Sequence, residues 1–171
     1  MQDHRDAAAG KSKLSALAEH MRSLNFKVKT GVQFEGQPFA IVAWKGGFEL
    51  LTRVEYFFFV TQFDVLDLST MKSYSQKCYR YCAKNRVVPL SVFCTVSYSV
   101  ALVGGVDENV AATVRRNEPT KHWSSAESPI IWDLSTGLFH YSEATTEFPD
   151  LRGLDFDMWR KTALEALAPV T

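Results

Sequence analysis

The chain has 171 residues, 46% of them hydrophobic and 13% aromatic, with 19 basic residues balanced by 19 acidic ones. That length and apolar content suit one globular domain, and a net charge of zero removes any global attraction to nucleic acid or an anionic membrane, leaving only local patches to provide it. Polar residues interrupt every apolar run well short of the roughly 18 residues a membrane helix needs, so no membrane association is expected.

The opening MQDHRDAAAGKSK has mixed charge and no apolar centre. Residues 1–13 read as a disordered tail, and as neither a signal nor a transit peptide; residues 14–171 read as a single α/β domain. Three cysteines, an odd number, point to a reduced and therefore cytoplasmic setting. From Leu14, apolar residues at Leu17, Ala18, Met21 and Leu24 predict an amphipathic helix over 14–24. Phe26, Val28, Val32 and Phe34 alternate, Glu35-Gly36-Gln37 marks a turn, and Phe39 to Trp44 gives a second apolar run, together a hairpin. Lys45-Gly46-Gly47 reads as another tight turn, with glycine at positive φ. It leads into Arg53 to Phe63, RVEYFFFVTQF, whose aromatic and β-branched content marks a central strand buried on both faces.

Asp67 to Thr70 offers capping side chains, and Met71, Tyr74, Cys78, Tyr81 and Cys82 predict a second helix over 69–85. Val87 to Val103 reads as a long strand ended by Gly104-Gly105, Asp107 to Pro119 as a weakly patterned helix, and Thr120 to Ser128 as a loop. Ile130–Leu134 and Leu138–Tyr141, about Ser135-Thr136-Gly137, predict a final hairpin, and Trp159, Ala163 and Leu167 a short last helix over 156–167. The expected fold is α/β: a mixed sheet in the order α-β-β-β-α-β, its central strand 53–63 flanked by helices 14–24 and 69–85, then the hairpin and the short helix.

From Leu14 to Val103 this order, helix, three antiparallel strands, helix, strand, resembles the core of the PD-(D/E)XK nuclease-like superfamily of restriction endonucleases and junction resolvases. The resemblance implies a metal-holding aspartate near the start of the second strand and an acidic-x-lysine motif on the third. Phe39 and Ala40 stand at the first place, and Val60-Thr61-Gln62-Phe63 ends the third strand. It therefore implies a member that has lost nuclease chemistry.

No catalytic residue, metal ligand or cofactor is assigned. Glu35, Glu49, Glu55 and Asp64, with Lys45 as an electrostatic partner, are the groups from which a nuclease site could be rebuilt, and read as solvated rim charge. Cys78 and Cys82, four apart, read as core residues rather than as zinc ligands joined by Cys94 and completed by His122 or His140. The expected binding surface is the basic face of the second helix, Lys72, Lys77, Arg80 and Lys84, with Tyr79 as a stacking plane. A second basic and aromatic group follows at Arg115, Arg116 and Trp123. The favoured function is a non-catalytic module that binds a protein partner or itself, with nucleic acid bound weakly at most; the alternatives are a nuclease with relocated carboxylates and a small-molecule binder using a pocket between the sheet and the C-terminal hairpin.

Overall fold

The computed structural model describes residues 3–49, 52–85, 93–122, 125–145 and 156–168. Trp123, and the front of the run expected as a long strand, residues 87–92, lie outside them.

Three layers form around β3 (Thr52–Phe63), which pairs antiparallel with β2 (Gln37–Glu49) on one side and parallel with β4 (Phe93–Val103) on the other. β1 (Lys27–Phe34) extends the sheet beyond β2, and β6 (Ser125–Asp133) extends it in parallel beyond β4. The far edge of β6 is shared: β5 (Thr120–His122) pairs with its first residues and β7 (Phe139–Tyr141) with its last. The fold is thus α/β with a mixed sheet, as the patterning predicts. Alternation along the strands sends Val54, Tyr56, Phe58 and Val60 to one face and Phe57 and Phe59 to the other. Each such side chain contributes about 1.5–3 kcal/mol on burial, which is why this stretch sits in the middle.

On the first face lie α1 (Asp3–Ser23), through Leu17, Ala18 and Met21, and α4 (Phe156–Leu167), through Trp159, Ala163 and Leu167. On the second lie α2 (Leu68–Asn85), through Met71, Tyr74, Cys78, Tyr81 and Cys82, and α3 (Glu108–Arg116), through Val110 and Val114. Asp67 caps α2, accepting from the Thr70 amide at 2.6 Å, and Asp107 caps α3, accepting from the Asn109 amide at 2.8 Å.

Three expectations change. The helix begins at Asp3 rather than Leu14: Ala7-Ala8-Ala9 are the strongest of helix formers and need no apolar stripe to continue α1 backwards. Lys45-Gly46-Gly47 is not a turn, since the three residues pair with Tyr56, Glu55 and Val54 inside the hairpin. A Cβ on Gly46 would meet the Arg53 side chain at 3.8 Å and one on Gly47 the Tyr56 ring at 3.7 Å, ordinary contact distances, so neither position requires glycine for room. The connection between β1 and β2 does use positive φ, at Glu35 (49°) and Gly36 (72°), its two residues. Finally, the described parts of the expected loop, Thr120–His122 and Ser125 to Ser128, are β5 and the start of β6, and this places the site.

Candidate functional site: a groove over a buried glutamate

Odd-numbered residues of β6 face α2, so Glu127 points beneath that helix and is only 6% exposed. The Ser75 hydroxyl donates to its Oε2 at 2.8 Å, and His122 Nε2, arriving from β5, donates to its Oε1 at 2.7 Å. His122 is fixed in turn by the Tyr79 ring, stacked on it at 4.1 Å between centroids and 13° between planes. Tyr79 lies four residues beyond Ser75, one helical turn along the same side of α2. A buried carboxylate costs several kcal/mol unless hydrogen bonds and a counter-charge replace its hydration; among the described residues its partners are a hydroxyl and an imidazole.

The surrounding strand surface is polar as well. Ser97 of β4 is the register partner of Glu127, and Ser97, Ser99 and Ser125 are at most 2% exposed, with hydroxyls that meet no partner among the described residues. These groups lie on the sheet face that α2 and α3 cover.

Above Glu127 the two helices part to leave a groove of about 540 Å³, within the range of ligand-sized sites. Leu68, Met71, Lys72, Ser75 and Gln76 line it from α2, Thr113 and Val114 from α3, Asn117, Glu118 and Thr120 from the segment that follows, and Glu127 and Pro129 from β6. A hollow of about 520 Å³ elsewhere is formed by α4 and Ala168 alone, so it has one wall. The space between the sheet and the C-terminal hairpin, lined by Ile130, Tyr141, Ser142 and Trp159 among others, is about 20 Å³, room for little more than one water.

The expected basic stripe is divided by the fold. Arg80 Nε and Lys84 Nζ both donate to Glu35, each at 2.8 Å, and these hydrogen bonds hold the Glu35 carboxyl below its usual range. Lys72 lies on the groove, away from that pair. Lys77, half-buried, and exposed Arg80 and Lys84 therefore belong to a different part of α2 from Lys72. The second group disperses too. Arg115 donates from Nη1 to His140 Nδ1 at 2.8 Å and from Nη2 to Glu108, while Arg116 Nε reaches the Ala112 carbonyl at 3.4 Å.

Glu35 and Glu55 do not converge, and no three His, Cys, Asp or Glu side chains among the described residues could share a metal ion. Glu35 sits at the β1–β2 turn, and Glu55 pairs with Gly46, nine residues along β2 from Gln37, about 30 Å at the rise of an extended strand. At the positions where the nuclease pattern has its acids, Phe39 is 1% exposed against Phe59, Tyr74 and Tyr81, and the Thr61 hydroxyl donates to the Pro38 carbonyl at 2.9 Å. Cys78 and Cys82 lie in the core and, like Cys94, are buried and form no disulfide among the described residues. Burial pushes the Cys78 thiol well above the usual thiol range, and Cys82 and Glu127 push it the same way, so it is kept protonated and unreactive.

Sequence reasoning missed Glu127 because Ser125-Ala126-Glu127-Ser128 lacks apolar content. The usable signal was its continuity with Ile130-Ile131-Trp132, in which Ala126 keeps the even-numbered phase of the core. No family model, curated protein or solved structure matches the chain.

Proposed function

We propose that this protein is a non-catalytic α/β binding module, degenerate in the nuclease-like sense, whose protein partner enters the groove between α2 and α3. The single observation behind this reading is the roomy, two-walled groove over the buried Glu127. The order α1-β1-β2-β3-α2-β4 supports the nuclease-like ancestry, and the aromatic packing of Phe39 supports the loss of nuclease chemistry. Three buried cysteines held as thiols rather than disulfides support a cytoplasmic setting.

The test is site-specific photo-crosslinking in the protein's own cells, with a benzophenone side chain placed at Gln76 in the groove or at Lys161 on α4. A discrete crosslinked species from Gln76 and none from Lys161 is expected. Equal labelling from the two positions, or none from either, would remove the groove as the binding face.

A further inference from the structure

We infer that the groove between α2 and α3 is built to receive an arginine side chain of the partner, with Glu127 as its counter-charge; this rests on the binding-module reading above and gives that partner its chemistry. Glu127 is buried, its described partners are a hydroxyl and an imidazole, and each oxygen retains capacity for a further donor. A guanidinium presents paired donors in the planar fork that matches a carboxylate and is weakly hydrated, so it enters a half-buried site more readily than an ammonium. Met71, Val114 and Pro129 on the walls suit the methylene stem that an arginine lays against apolar surface. Glu118 on the same groove is a second carboxylate, already paired with Lys121 at 3.4 Å, and Lys72 is the charge that opposes entry. The buried hydroxyls of Ser97 and Ser125 beside Glu127 keep this end of the sheet polar where a purely structural seat for α2 would be apolar.

The probe is N-acetyl-arginine amide, with N-acetyl-citrulline amide as its neutral isostere, each titrated into the isotope-labelled full chain and followed by amide NMR shifts. Arginine amide is expected to move the Ser75, Gln76, Thr120 and Glu127 amides and to bind at least tenfold more tightly than citrulline amide. Glu127→Gln, which keeps the side-chain shape, should abolish that preference. Lys72→Ala, at an exposed position that leaves the core untouched, should tighten arginine amide severalfold, and this arm stands even if the glutamine variant does not fold. Equal binding of the two probes, a preference that survives Glu127→Gln, or weaker binding in Lys72→Ala would overturn the inference. A partner crosslinked at Gln76 with no arginine preference would overturn it while leaving the binding module intact.

Discussion

Ser75 and Glu127 are 52 residues apart in the chain and 2.8 Å apart in the fold, where a helix hydroxyl donates to a strand carboxylate beneath it. Removing the donor leaves one oxygen of a buried carboxylate without its hydrogen bond, a change that costs about 1–3 kcal/mol. Ser75→Ala should therefore lower Tm by about 2–4 °C per kcal/mol lost for a chain of this size. Calorimetry or urea unfolding reads the effect, and a change within a few tenths of a kcal/mol would mean that Glu127 does not depend on this contact.

The two halves of the sheet were unequally legible for a physical reason. Hydrophobic periodicity reports where apolar side chains go, so β3, with Tyr56 to Phe59, and α2, with Met71, Tyr74 and Cys78, declared themselves. β6 begins with Ser125 and Glu127, buried by pairing with β4 and by the cover of α2 rather than by their own apolarity, and no local pattern carries that information. Gly46 and Gly47 misled in a related way. Glycine marks turns but also enters strands, and only the pairing of Gly46 with Glu55 and of Gly47 with Val54 across the hairpin shows which. The basic face of α2 was visible as charge, but its neutralisation by Glu35, 45 residues before Arg80, was not.

That neutralisation has a measurable effect on nucleic acid. While Glu35 holds Arg80 and Lys84, the two cations are poorly placed to displace counterions from phosphates. Glu35→Gln should raise non-specific affinity for double-stranded DNA and steepen its salt dependence by up to about two counterions. Changing Lys72, Lys77, Arg80 and Lys84 together to glutamine in the native background should alter that slope by about one or less. Filter binding over a salt series compares the two variants, and tight binding by the native chain that the fourfold change abolishes would restore the stripe as a nucleic-acid surface.

Thiol chemistry gives a further check on the core. Cys78, Cys82 and Cys94 are each at most 3% exposed, and burial holds the Cys78 thiol in its protonated form. A thiol reagent should label all three only after denaturation, at a rate set by opening of the fold. Rapid native-state labelling of Cys78, followed by mass spectrometry, would contradict its place under α2.

The pH response should be carried in part by Asp133, at the end of β6. Burial works to raise its pKa, but the Ser135 hydroxyl and amide, at 2.6 and 2.8 Å, and groups of Thr136 overcome this and hold the carboxyl below its ordinary range. A carboxyl whose pKa falls on folding contributes stability that is complete above the unfolded value of about 3.9 and is lost as pH falls through the folded value. Asp133→Asn keeps an oxygen for Ser135 but not the charge, so the variant should be less stable than the native chain by a constant margin between about pH 5 and 8. Below about pH 4 the margin should shrink, because the carboxyl of the unfolded chain then takes up a proton before the folded one does. Urea unfolding at a series of pH values measures it, and a margin that stays constant or widens down to about pH 3 would show that the Ser135 hydrogen bonds do not favour the ionised form.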